Sequence, residues 1–110
     1  MTKVKFYKDC DTYVGFTVSG HAAPQSENLD IDLVCCGISV MSQTTILGMV
    51  EVLKLKPKYE INDGIINLTL KNLTSEDIEK CQVLIKTMHV GLQSMAFTYG
   101  DYIKIEIEEV

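Results

Sequence analysis

Arginine and tryptophan do not occur in this sequence, and proline and histidine appear only twice each in 110 residues. Without Arg, the side chain best suited to bidentate phosphate contacts is missing. All ten basic residues are Lys, against fifteen acids, for a formal charge of −5. That balance argues against a dedicated nucleic-acid binder, which shows a basic face. There is no Cys-x-x-Cys pair, and two His are few for a zinc site, so neither a metal nor another cofactor is expected. No apolar run reaches the roughly 20 residues that span a bilayer. The start, Met1-Thr2-Lys3-Val4-Lys5-Phe6, alternates like a strand rather than a signal peptide. The expectation is a cytoplasmic protein with reduced thiols and no membrane partner.

What is present is a 46% apolar, 23% charged chain. Those are ordinary globular values, and its length suits one domain over 1–110. No linker, repeat or low-complexity segment divides it. Residues 2–8 and 13–19 alternate as half-buried strands joined by a short polar turn. Residues 23–30 are polar, broken by Pro24, and read as a loop. Asp32 is placed to cap a helix over 33–54, with Gly37 and Gly48 permitting close approach of another element. A hairpin of 58–62 and 65–71 turns at Asp63-Gly64.

Thr74 and Asp77 then form a variant capping box for a second helix. Its apolar stripe is Ile78, Cys81, Ile85, Met88, Leu92 and Met95. Gly100-Asp101 ends that helix, and Ile103, Ile105 and Ile107 alternate in a last strand. The order ββαββαβ predicts an α/β (α+β) two-layer sandwich, a mixed sheet packed against two helices.

Four cysteines, at 10, 35, 36 and 81, carry different expectations. Cys81 lies on an apolar stripe and reads as core, and Cys10 lies in a polar turn. Cys35 and Cys36 are adjacent, with α-carbons about 3.8 Å apart, so a disulfide between them would be strained. His89 is expected on a helix flank or surface. Met41, Met49, Met88 and Met95 read as core or dimer surface. Glu106, Glu108 and Glu109 read as a solvated acidic tail.

The arrangement with chemical meaning is Gly20-His21-Ala22, then an interval, then Asp32-Leu33-Val34-Cys35-Cys36-Gly37-Ile38-Ser39. It sets a histidine at a strand end and a cysteine in the expected first turn of a helix. The helix terminus would favour the thiolate, an imidazole could take the thiol proton, and free amides at Cys35 or Cys36 could hold an oxyanion. Asp32 would oppose the thiolate but stabilise a protonated His21.

These two motifs together resemble the ribosomal-processing cysteine protease Prp family, and the resemblance in size and element order covers essentially the whole chain. It implies an endopeptidase that removes the N-terminal extension of a bacterial large-subunit ribosomal protein, the twenty-seventh of its series, and that forms homodimers. The implied substrate is an extended peptide with aromatic residues just before the cut. By the same resemblance His21 matches the catalytic histidine and Cys35 the nucleophile, with Asp32 and Ser39 recurring beside them and Gly20 turning the chain. Cys36 replaces a usual small residue such as Ala, and Asp30 replaces a common Gly. Two other functions fit the residues: a non-catalytic peptide-binding adaptor, and a thiol redox sensor using Cys35 and Cys36.

Overall fold

The computed structural model describes residues 1–20 and 29–110, with backbone alone at 29–32. Its strands are β1 (Thr2–Asp9), β2 (Thr12–Ser19), β3 (Lys58–Asn62), β4 (Ile65–Thr69) and β5 (Ile103–Glu109). They form one mixed sheet in the order β3-β4-β2-β1-β5. β1 and β5 are parallel and the other pairs antiparallel. The two expected hairpins, β1–β2 and β3–β4, are both present.

Register sets the faces. Val4 lies opposite Val18 and Ile105, and Phe6 opposite Phe16 and Ile107. Phe16 and Val18 in turn face Leu68 and Ile66. These residues line one side of the sheet, since alternate residues share a face. Val4, Phe6, Phe16, Val18, Ile66 and Leu68 are buried there under the helices. The other side carries Lys3, Lys5, Lys104, Glu106 and Glu108. Glu106 pairs with Lys3 and Lys104, and Glu108 with Lys5. The acidic residues expected as a solvated tail belong to β5, where Glu106 and Glu108 stand on this face among the lysines.

α1 (Leu29–Leu47) continues into a π-helical turn, Gly48–Val52. Val34, Ile38, Ile46 and Met49 supply its core side. Its buried polar residues are satisfied one turn back: Ser42 donates to the Ile38 carbonyl and Thr45 to that of Met41. Contrary to expectation, Leu33–Val52 is apolar and long enough, by length and composition, to cross a membrane. In this fold it is the helix that covers the sheet. The helix begins four residues earlier than expected, which places Asp32 inside its first turn rather than at its cap. It also closes earlier, at Leu53, with Lys54 left-handed (φ 59°).

The second expected helix is divided at Cys81 into α2 (Ser75–Lys80) and α3 (Gln82–Tyr99). Thr74 caps α2 as expected, accepting from the Asp77 amide. The division has a local cause. The Cys81 amide turns to the Ile78 carbonyl, three residues back, and Gln82 Nε2 also donates to that carbonyl. The same Gln82 amide group donates to the Tyr13 carbonyl and accepts from the Tyr13 amide. It thus stands in for a strand partner beside the irregularity at Tyr7–Lys8.

α1 and α3 interlock through small residues, as expected of Gly37 and Gly48. A β-carbon at Gly37 would lie 2.8 Å from Met95 Cε, and one at Gly48 would lie 3.1 Å from Leu84.

Candidate active site

Cys35 sits in the second turn of α1, at the helix end that lies over the start of β1. Its Sγ is 3.5 Å from Thr2 Oγ1. Cys35 is half-buried, and Cys36, about 100° further round the helix, is exposed. Consecutive helical residues diverge in this way, which leaves both as free thiols and weakens a Cys35–Cys36 redox pair.

The earlier helix start changes one chemical expectation. The unpaired amides of a helix are its first four. In a helix beginning at Leu29, the amides of Cys35 and Cys36 are committed to carbonyls one turn back and are not free for an oxyanion. Ser39 lies one turn beyond Cys35, as expected, but its hydroxyl accepts from Gln43 Nε2 at 2.8 Å. Asp32 is helical, and its side chain is outside the description.

Gly20 closes β2 with φ 77°, and a β-carbon there would lie 2.9 Å from the Met1 carbonyl oxygen. Both the left-handed backbone and the close approach require glycine. Gly20 and Cys35 therefore border the same Met1–Thr2 stretch from two sides. His21, the next residue, lies outside the described residues, as does the expected loop up to residue 28.

His89 is a different case. Rather than lying on the surface, it is 7% exposed, stacks on Phe6 with ring centroids 4.4 Å apart, and has Nδ1 2.7 Å from the Tyr13 hydroxyl. Thr2 and Phe6 are four residues apart on one face of β1, roughly 13 Å at the usual rise of a strand. The Phe6 contact therefore holds His89 well away from the Thr2 contact of Cys35. Burial, and then the Lys8 charge, lowers its pKa from 6.5. Cys81 is also inert: burial, and then Asp77, raises its thiol pKa from 9.0.

Thr2 is the site residue the sequence pattern did not bring out. Its signal was there, as the one polar member of the inward series Thr2, Val4, Phe6. An open groove of about 490 Å³ lies elsewhere, lined in part by Tyr7, Thr17 and Asn67 on the outward face of the sheet. Among the described residues no group of three or more His, Cys, Asp or Glu could hold a metal ion.

The fold and site define a small α+β protein that presents a helix-borne thiol over one end of a mixed sheet. The family model for cysteine protease Prp matches residues 1–104, and the chain belongs to that family. In fold it is similar to SMU.848 from Streptococcus mutans, with TM-score 0.87 and 18% identity over 100% of this chain and 96% of that one. It is also similar to the essential ribosomal processing protease Prp from S. aureus in complex with a substrate peptide, with TM-score 0.83 and 19% identity over 98% and 100% of the two chains. The S. aureus protein with a covalently linked product peptide gives TM-score 0.78 and 20% identity over the same shares. Among curated proteins, none matches the sequence significantly.

Proposed function

We propose that this chain is a cysteine endopeptidase that removes the N-terminal extension of a bacterial large-subunit ribosomal protein, the twenty-seventh of its series. Membership of the family supports the reaction class. The observation that carries the reading is the place of Cys35. Its half-buried sulfur touches Thr2, and Gly20, which leads directly into His21, packs beside Met1. The S. aureus relative, which shares this fold, holds a substrate peptide and a covalently linked product peptide.

In the proposed reaction, His21 takes the Cys35 thiol proton, and the sulfur attacks the scissile carbonyl carbon to form a C–S bond. The tetrahedral intermediate collapses with loss of the C–N bond, and His21 returns the proton to the leaving amine. Water, deprotonated by His21, then hydrolyses the thioester, releasing the acid product and the thiol. The oxyanion takes its hydrogen bonds from donors other than the Cys35 and Cys36 amides.

A homodimer acting in the cytoplasm belongs to the same proposal. Its support is two stripes of exposed apolar residues at seven-residue spacing: Leu33, Val40, Leu47 on α1 and Val83, Val90, Phe97 on α3. Apolar residues repeating at this spacing suit helix-to-helix packing.

The test incubates purified protein with the N-terminally extended ribosomal protein of the same organism and reads the products by mass spectrometry. The expected result is a single cut that removes the extension. Binding of an intact substrate with no cut would favour the adaptor instead.

A further inference from the structure

We propose that Thr2 is a positioning residue for the Cys35 sulfur, its buried hydroxyl holding the thiolate toward the sheet so that the opposite side meets the scissile carbonyl. The inference rests on the reading of Cys35 as nucleophile. Thr2 is 1% exposed, the buried polar residue of β1 beside the apolar Val4 and Phe6. Its backbone is fixed, with the amide donating to the Tyr102 carbonyl at 2.9 Å and the residue in register with Ile103. Its β-branched side chain has few rotamers to choose from.

Buried hydroxyls are held by hydrogen bonds, and the Thr2 hydroxyl lies 3.5 Å from Cys35 Sγ. A neutral thiol can donate or accept in that pair, but a thiolate can only accept. Once the proton has left for His21, the Thr2 hydroxyl is therefore the donor. The bond weakens as the sulfur acylates and returns when the thioester is hydrolysed. It acts on the state of the sulfur more than on substrate binding, so its loss should appear in kcat rather than KM.

The test compares Thr2→Val, which replaces the hydroxyl with a methyl of similar shape, and Thr2→Ser, which keeps the hydroxyl. Iodoacetamide labelling of Cys35 at fixed pH is followed by peptide mass spectrometry, beside kinetics on a substrate peptide. Thr2→Val should label Cys35 about tenfold more slowly and lower kcat by a similar factor, with KM within about twofold. Thr2→Ser should return both rates to near wild type. Wild-type labelling in Thr2→Val would overturn the proposal, and so would a Thr2→Ser protein as slow as Thr2→Val. If Thr2→Val fails to fold, Thr2→Ser must still label at the wild-type rate, and slow labelling of that folded protein overturns the proposal. The labelling arm needs no substrate. A wild-type protein that labels as described but cuts nothing would therefore refute the peptidase reading and leave the role of Thr2 standing.

Discussion

The Nδ1 atom of His89 and the hydroxyl of Tyr13 lie 2.7 Å apart in a buried corner between α3 and β2. Phe6 stacks on the imidazole, and the Lys8 ammonium lies 5.1 Å from the Tyr13 ring centroid. The surroundings, burial first and then the Lys8 charge, lower the imidazole pKa from 6.5 and favour a neutral ring, whose Nδ1 shares a hydrogen bond with the Tyr13 hydroxyl in the direction its tautomer sets. In the unfolded chain the ring takes up a proton below that value, while the native ring stays neutral further down. Stability is therefore complete above pH 6.5 and falls as the pH drops below it. Thermal melts at pH 7.5 and pH 5 should show a lower Tm at pH 5. His89→Gln, which can still accept from Tyr13, should show a smaller drop, and an unchanged drop would count against this account.

Gln82 serves the backbone of Tyr13 with both ends of its amide. Gln82→Leu keeps most of the volume but leaves the Tyr13 N–H and C=O without those partners in a buried place. The expected cost is about 3 kcal/mol, from the two polar groups left unsatisfied. Urea denaturation measures it directly, and a loss below about 1 kcal/mol would show that the pair finds other partners.

Gly20 and Lys54 are both left-handed, at φ 77° and 59°, but substitutions there should act in opposite directions. Gly20→Ala adds a β-carbon against the Met1 carbonyl oxygen in an unfavourable backbone region, and should cost about 1–2 kcal/mol. Lys54→Gly relieves the same conformation after a helix end, where glycine is the usual residue, and should leave stability unchanged or raise it by up to about 1 kcal/mol. Denaturant midpoints for the two variants test the signs.

The heptad-spaced stripes predict how a dimer would be broken. Phe97 is 94% exposed and Val90 lies two turns before it on α3. The double variant Val90→Glu, Phe97→Glu touches no core residue. It should convert a dimer to a folded monomer by light scattering, with circular dichroism unchanged. A dimer that survives it would place the contact elsewhere.

Much of the fold could be read from the sequence because its signals were local. The alternation of Val4 with Phe6 and of Ile66 with Leu68, the Asp63-Gly64 turn and the Ile78–Met95 stripe each depend on neighbours close in the chain. What escaped were polar residues inside. Gln82 and His89 are buried because β1, β2 and α3 meet around them, and Thr2 because α1 and β5 close over the start of β1; a reading keyed to apolar period assigns such residues to the surface. The start of α1 escaped for a related reason. Asp30 and Asp32 look like loop and cap residues, yet the helix already includes both, and this removes Cys35 and Cys36 from its free first turn. Cys35 itself was picked out by its motif, and the Thr2 contact gives it a defined place in the fold.

The most direct test of the central claim is one assay of kcat/KM on the N-terminal extension peptide for wild type, Cys35→Ala, His21→Ala and Cys36→Ala. The account predicts losses of about a million-fold for Cys35→Ala and His21→Ala, as when a nucleophile or its base is removed, with Cys36→Ala near wild type. Undiminished cleavage by Cys35→Ala would contradict it.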